Sequence, residues 1–471
     1  MYDSRWYRSS PIPVQNALCT VAGAASRVLR GGREFQRHLA ELRDSQWLDA
    51  AQLRALQDAK VERLIRHCYA RVPYYRDVMR ERGLTPRDIQ TAEDLRKLPY
   101  LTKEIVRTQG HRLVREDIGR LGVYHSKTSG TSGTPLRLVR DTLSVNYENA
   151  TLWWVWTTAG LPLWGRRATL RGDLIVPPEQ RRPPYWRLNR AERQLLLSGV
   201  HLSRESVPFY LDALERYRPI AIETYATAAF YLARSAVETG RKVHVDAVLT
   251  GSEPHYPHMR RAIEEAFSCT VHDYYGQAER VAFAAECERH DGLHLAMAYG
   301  AVEFAEPEGP APAGLREIVG TSLNNDAMPF VRYRTGDLAR TIDAPCPCGR
   351  TLPRIAGIET RAGDVISTPD GRRISYLHLT RVFGLFEHIK KSQVVQDGPD
   401  HFTVKIVLDE TFSDEDRRKM VAGIREMLSF DASVDIVRVD DIPTEPSGKF
   451  RWFVSALGDR DARMSRPADE R

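Results

Sequence analysis

The sequence predicts an α/β protein with a large multi-layer N-terminal domain and a small α+β C-terminal domain. Three observations lead there. The chain has 471 residues, more than one small core can use. Over residues 123–355 short apolar strands alternate with helical stretches, the pattern of a layered α/β body. At residues 361–364 (RAGD) the texture changes to a compact α+β pattern. The expected domains are therefore 1–362, helical over 1–120 and α/β over 121–362, then 363–460, with a polar, disordered tail at 461–471.

Each element has its own signal. Residues 51–75 carry Leu53, Leu56, Val61, Leu64 and Ile65, then Val72, close to a helical period. TAEDL at 91–95, Pro99 and TKE at 102–104 predict short capped helices separated by turns. AVLT at 247–250 and TVHDY at 270–274 predict strands around a helix at 258–267. In the second domain Phe402, Val404, Ile406 and Leu408 alternate with Thr403 and Lys405, as in a half-buried strand. Ser413 can cap a helix with the stripe Met420, Val421, Ile424, Met427 and Leu428. Val434 and Ile436, then Val437 and Val439, predict a strand whose apolar face switches midway.

Composition is ordinary for a soluble globular protein, 42% hydrophobic and 28% charged. No apolar run approaches the ~18–20 residues that span a bilayer. LCTVAGAASRV at 18–28 is too short and too Ala-rich, and lacks the layout of a secretory signal. A cytoplasmic protein is expected. The net charge of +6 is interleaved with acidic residues, so no nucleic-acid partner is expected. Six cysteines in so long a chain do not form a disulfide framework.

The strongest local signal is YHSKTSGTSGTPLR at 124–137. From Lys127 to Pro135 nearly every side chain is small, hydroxylated or absent. Glycines let backbone N–H groups approach a phosphate, and hydroxyls add donors or reach a magnesium ion. Because no Lys follows Gly133, this is not a Walker A loop. Four further segments stand out: LTGSEP at 249–254, DYYGQAE at 273–279, YRTGDL at 333–338 and PSGKFR at 446–451. Each alone reads as an ordinary strand end, turn or surface residue. Their order is what carries information.

Together these segments resemble the adenylate-forming superfamily. TSGTSGTP is similar to its phosphate loop and YGQAE to its YG-x-[ST]-E segment, with Ala278 in place of the hydroxyl residue. YRTGDL matches its ribose-binding segment. PTEPSGKFR, from Pro443, resembles its C-terminal P-x-x-x-S-G-K segment, with Arg451 one place early. The resemblance spans essentially the whole chain. Its short length, helical N-terminal region, CPCGR and HLS at 201–203 resemble the phenylacetate-CoA ligase branch, especially its polysaccharide-biosynthesis and coenzyme F390 synthetase-like members. The usual Tyr-Pro-Ser of that branch reads Tyr225-Ala-Thr227.

The resemblance implies AMP-forming activation of a carboxylic acid by ATP, then transfer of the acyl group to the thiol of CoA. Thr128, Ser129, Gly130, Thr131, Ser132 and Gly133 would hold the β- and γ-phosphates. Glu279 would ligate Mg²⁺. Ser252, Glu253, Pro254, Tyr275 and Gly276 would line the adenine and α-phosphate region, and Asp337 would accept from both ribose hydroxyls. Lys449 would set its ammonium between the attacking carboxylate and the α-phosphate. It joins Glu279 and Thr131 as the catalytic set. The small domain would be mobile, turning at Asp364 beside Gly363 between the half-reactions. Trp153, Trp154 and Trp156 permit an aryl or hydrophobic acid, and core packing explains them equally.

Cysteine placement adds a metal. Cys346-Pro-Cys348-Gly is a tight knuckle, and Cys287 precedes His290 and His294 across a predicted strand, a turn at Asp291-Gly292, and a second strand. Three thiolates and an imidazole suit tetrahedral zinc, with Cys287, His294, Cys346 and Cys348 as ligands and His290 as the alternative imidazole. A four-ligand site leaves no place for a water, so the zinc is expected to be structural. Cys19, Cys68 and Cys269 read as ordinary packed cysteines.

Two other functions stay open at this stage. An adenylating enzyme could use an amine, a carrier-protein thiol or a sugar as acceptor, or adenylate a small non-carboxylate acid. A zinc-containing nucleotide-binding sensor would not turn over. The expected partners are a small acid, ATP and CoA, and a homodimer is compatible with the sequence.

Overall fold

The computed structural model describes residues 2, 4–119, 122–127, 136–203, 205–308, 311–361, 365–369, 373–375, 379, 382–383, 386, 389–408, 412–428, 430–443 and 450–457. The chain divides into two compact units. The first is Met1–Ala305, Ile318–Thr335 and Thr341–Gly357; the second is Glu306–Glu317, Gly336–Arg340 and Ile358–Arg471.

The first unit opens with helices α1 (Arg5–Ser9), α2 (Ile12–Arg30), α3 (Arg33–Ser45), α4 (Ala50–Arg71), α5 (Pro73–Glu81) and α6 (Lys103–Leu113). Helix α4 begins at a capping box. The Asp49 carboxylate accepts the N–H groups of Ala51 and Gln52 at 2.8 Å, and Gln52 Oε1 accepts the Asp49 N–H at 3.0 Å. The periodicity across 51–75 predicts one helix, but the structure breaks it at Val72. Pro73 forbids its predecessor the helical region, so Val72 lies extended at φ −113°, ψ 107°, and Pro73 starts α5 at its first position.

After the hairpin β1 (Val123–Lys127) and β2 (Arg137–Asp141), helix α7 (Thr142–Thr158) crosses to α3. Asp141 caps α7 by accepting the Ser144 N–H at 2.8 Å. Trp153, Trp154 and Trp156 of α7 are all buried, in one cluster with Phe35, Leu39 and Leu42 of α3. Arg167 lies over the rings of Trp153 and Trp156 at 5.3 and 5.2 Å. These tryptophans are core residues.

Helices α8 (Val207–Tyr217), α9 (Ala226–Glu238) and α10 (Pro257–Phe267) alternate with strands of a twelve-stranded sheet. Its strands are β3 (Arg167–Arg171), β4 (Trp186–Asn189), β5 (Gln194–Ser198), β6 (Ala221–Thr224), β7 (Ala247–Gly251), β8 (Thr270–Gly276), β9 (Phe283–Glu286), β10 (Leu293–Leu295), β11 (Gly300–Ala305), β12 (Arg316–Ser322), β13 (Tyr333–Ile342) and β14 (Arg354–Arg361). Their order is β11-β12-β13-β14-β10-β9-β8-β7-β6-β3-β5-β4. The run β5-β3-β6-β7-β8 is parallel, and helices cover it, so its strands read as near-continuous apolar segments such as Ala247-Val-Leu. Ligands of such a sheet bind beyond the carboxyl ends of the strands, where LTGSEP and DYYGQAE lie at the ends of β7 and β8.

The second unit holds the short pair β15 (Val365–Ser367) and β16 (Arg373–Ser375), and a four-stranded sheet of order β19-β18-β17-β20. These strands are β17 (Ile389–Gln396), β18 (His401–Leu408), β19 (Ser433–Arg438) and β20 (Phe453–Ser455). Helix α11 (Asp414–Leu428) buries Met420, Ile424 and Leu428. Ser413 caps it reciprocally: Ser413 Oγ accepts the Asp416 N–H at 3.1 Å, and Asp416 Oδ2 accepts the Ser413 N–H at 3.0 Å. The switching face read at 434–439 has its reason in position. Strand β19 is an edge strand, where Ile436 is buried and Val437 is exposed. Among the described residues, no helix is long and apolar enough to cross a membrane.

Candidate active site and metal centre

The structure gathers several predicted residues at the carboxyl ends of the parallel strands. Strand β7 ends at Gly251, and the chain turns through Ser252 at φ +70°. Buried Glu253 then points to the start of α9, where its Oε2 accepts the Thr227 N–H at 3.1 Å and the Thr227 hydroxyl at 2.6 Å. A carboxylate at a helix N-terminus is favoured by the macrodipole. Thr227, from the departing Tyr-Ala-Thr segment, therefore fixes Glu253. Pro254 follows, half-buried. On the neighbouring strand Tyr275 and Gly276 pair with Ala284 and Phe283 of β9.

Glu279 follows β8 and is half-buried. The hydroxyl of fully buried Tyr333 donates to its Oε1 at 2.9 Å. Tyr333 is the first residue of YRTGDL, so two predicted motifs meet here. Two arginines the sequence reading missed frame this turn. Arg140 donates to the Ala278 carbonyl. Arg280 donates to the Ser144 carbonyl at 2.9 Å and lies 3.3 Å from Glu148. Burial first, then repulsion from Arg280, brings Arg140 down to about 10. Two confined cations beside a carboxylate suit a metal-bridged anion. Arg280 directly follows YGQAE and could have been read from it; Arg140 gives no sequence signal.

Asp337 lies in β13 among the residues of the second unit and is buried. Gly336 before it has φ +77° and donates its N–H to Glu317 Oε1 at 3.0 Å. Thr128, Ser129, Gly130, Thr131, Ser132, Gly133, Gly363, Asp364, Lys449 and the tail at 461–471 lie outside the described residues.

The four predicted zinc ligands come together. One donor atom each from Cys287, His294, Cys346 and Cys348 lies within 4.8 Å of all the others. Cys287 Sγ is 3.8 Å from Cys346 Sγ, and Cys348 Sγ is 3.5 Å from His294 Nε2. The antiparallel pairing of β9 with β10 sets Cys287 just past one strand and His294 in the other. Cys346 and Cys348 come from the knuckle, closed by the Gly349 N–H on the Cys346 carbonyl at 3.1 Å, with Gly349 at φ +83°. His290 is not in the cluster. Its Nδ1 is 3.0 Å from Glu286, and its ring meets His272 edge-on.

The surroundings fit a thiolate-bound metal. The Arg289 N–H donates to Cys287 Sγ and the Arg350 N–H to Cys348 Sγ, both at 3.4 Å. Such N–H···S bonds stabilise thiolates. Burial pushes the Cys287 thiol up to about 12, with Cys348 and Cys346 adding to the rise. Burial acts the same way on Cys348, but the Arg350 backbone and side chain outweigh it and hold that thiol below its ordinary value. A divalent cation would displace the remaining protons. Arg350 also anchors the knuckle, with Nε on Gln46 at 2.6 Å and Nη1 on Glu288 at 2.7 Å.

Comparison with known proteins agrees with this architecture. Residues 366–456 match the family model for the CapK C-terminal domain. Protein CapK of Staphylococcus aureus is 22% identical over 96% of this chain and 99% of its own length. The phenylacetate-coenzyme A ligase of Thermus thermophilus is 27% identical over 68% of this chain and 72% of its own. Among solved structures, 2-hydroxyisobutyryl-CoA ligase in the postadenylation state superposes with a TM-score of 0.71 at 17% identity, covering 89% of this chain and 93% of that one.

Proposed function

We propose that this chain, which belongs to the adenylate-forming superfamily in its phenylacetate-CoA ligase branch, activates a carboxylic acid with ATP and passes the acyl group to CoA. The observation that carries the reading is the hydrogen bond of Tyr333 to Glu279 at the carboxyl ends of the parallel strands, flanked by Arg140 and Arg280. It joins the segment for the metal-bridged phosphates to the segment for the ribose.

In this mechanism residues 128–133 grip the β- and γ-phosphates through backbone N–H and hydroxyl groups. Glu279, aimed by Tyr333, would hold Mg²⁺, which withdraws charge from the phosphates when bound. Ser252, Glu253, Pro254, Tyr275 and Gly276 border the nucleotide, and Asp337 takes the ribose hydroxyls. Lys449 screens the approach of the acid carboxylate to the α-phosphate, so that two anions meet at a lower barrier. Rotation of the small domain about Asp364 then admits the thiol. Cys287, His294, Cys346 and Cys348 would hold a structural Zn²⁺, with all four positions filled by protein.

ATP–pyrophosphate exchange over a panel of acids, followed by mass spectrometry of products with and without CoA, tests the reading. Absence of exchange with every acid would falsify acid activation. A second reading keeps adenylation and changes the acceptor to an amine, a carrier-protein thiol or a sugar. The likeness to protein CapK over 96% of the chain is also consistent with it, and exchange without any CoA-dependent product would select it.

A further inference from the structure

Beyond the predicted motifs, the carboxyl ends of the parallel strands carry a buried cation that the mechanism above does not use. Strands β3, β6, β7 and β8 end side by side. Arg171 is the last residue of β3, Tyr225 follows β6, Ser252 follows β7, and Tyr274 is near the end of β8. The Arg171 guanidinium lies among them, and its side chain is only 14% exposed. Its Nη2 donates to the Tyr274 hydroxyl at 2.5 Å and its Nη1 to Ser252 Oγ at 3.4 Å. Its Cζ lies 4.9 Å over the ring of Tyr225. The Tyr274 ring reaches this place because residue 251 is glycine, where a Cβ would meet that ring at 2.9 Å.

Charge balance is already met. Glu223 Oε1 is 3.5 Å from Arg171 Nε, and Glu223 Oε2 accepts the Thr169 hydroxyl at 3.2 Å. No further anion is needed to neutralise the guanidinium. Its hydrogen bonds are not complete, however. The unpaired Nε faces Glu223, so it is the Nη side of the fork, where the contact to Ser252 is long, that can take a further acceptor. A guanidinium offers five N–H groups in a rigid fork. Leaving such donors dry and unpaired is costly, so an apolar group packed against them would bind poorly.

We propose that Arg171, framed by Tyr225 and Tyr274, determines specificity for an acid carrying an oxygen acceptor besides the carboxylate that is activated: a hydroxyl, a keto group or a second carboxylate. The proposal rests on the acid-activating function above and names its substrate class. Arg171 donates to that oxygen, Tyr225 and Tyr274 hold the fork in place, and Gly251 leaves room for the wall. A site built around such donors can reject the analogue lacking the oxygen by up to about 10⁴-fold.

The test is ATP–pyrophosphate exchange with acids paired by a single polar group: butanoate with 3-hydroxybutanoate, phenylacetate with mandelate, and pentanoate with glutarate. Wild type, Arg171→Met and Arg171→Lys are compared after thermal melts have verified folding. In at least one pair, the wild type should favour the oxygenated acid by about 100-fold or more in kcat/KM. Arg171→Met should bring that ratio within about 10-fold, and Arg171→Lys should keep part of it. Equal or better use of the unsubstituted acid in all three pairs overturns the proposal and leaves acid activation standing. So does an unchanged preference in Arg171→Met. If that variant does not fold, the wild-type ratios and Arg171→Lys decide. Absence of exchange with every acid overturns the underlying function and the proposal with it.

Discussion

Tyr333 donates its hydroxyl to Glu279 Oε1 at 2.9 Å, so the carboxylate proposed for magnesium is aimed by a buried tyrosine from another strand. Tyr333→Phe removes that bond and little volume. It should raise the Mg²⁺ concentration needed for half-maximal pyrophosphate exchange by roughly 10–100-fold, the worth of one hydrogen bond to a charged group. Glu279→Gln should cost about 10²-fold or more in exchange rate. A Mg²⁺ titration of the exchange checks both, and identical titrations for Tyr333→Phe and wild type would remove the positioning role.

Lys449 is proposed to act on adenylation alone. Lys449→Ala should therefore lower pyrophosphate exchange by about 10²-fold or more. The same variant should still convert a supplied acyl-adenylate to thioester at a near wild-type rate. Unchanged adenylate formation would end the role given to this lysine.

The metal prediction separates two histidines. Cys346→Ser and His294→Ala should each lose stoichiometric zinc in elemental analysis and lower the Tm by roughly 5–10 °C. His290→Ala should retain the zinc, because that ring pairs with Glu286 outside the cluster. A wild-type protein that purifies metal-free and melts normally would defeat the site.

Asp273, in the same strand as Tyr275, gives a pH signature. Withdrawal from water first, and Glu286 second, push its carboxyl up to about 8 from an ordinary 3.8, against the Thr250 hydroxyl at 2.7 Å. A raised carboxyl favours the folded state fully below about pH 4. That contribution is lost as pH rises, until the folded group also ionises near 8. Asp273→Asn keeps an acceptor for Thr250 and binds no proton. Its stability relative to wild type should therefore grow between pH 5 and pH 8 in denaturant titrations, and a constant difference would refute the shift.

Much of this was legible in the sequence because the chemistry permits few substitutes. Thiolates and an imidazole at 287, 294, 346 and 348 announce a tetrahedral donor set, and Ser413 with Asp416 announces a helix start. The choice between His290 and His294 needed the register of β9 on β10, which spacing alone does not give. Arg171 was invisible for a related reason. An arginine closing an apolar strand reads as a strand end, and only the lateral order β3-β6-β7-β8 puts it beside Ser252 and Tyr274. The tryptophans of α7 were ambiguous until the packing of α3 showed them to be core.

The cysteine–histidine cluster also sets a timetable for synthesis. Cys287 and His294 leave the ribosome about fifty residues ahead of Cys346, a delay of roughly 3–10 s at ordinary translation rates. Throughout that interval β10 lacks its neighbour β14, and Cys287 and His294 stand without the Cys346–Cys348 knuckle. The first unit is therefore finished late, by segments that arrive after the chain has already begun the second. A nascent chain stalled before Cys348 would carry an open sheet edge where β14 later pairs with β10.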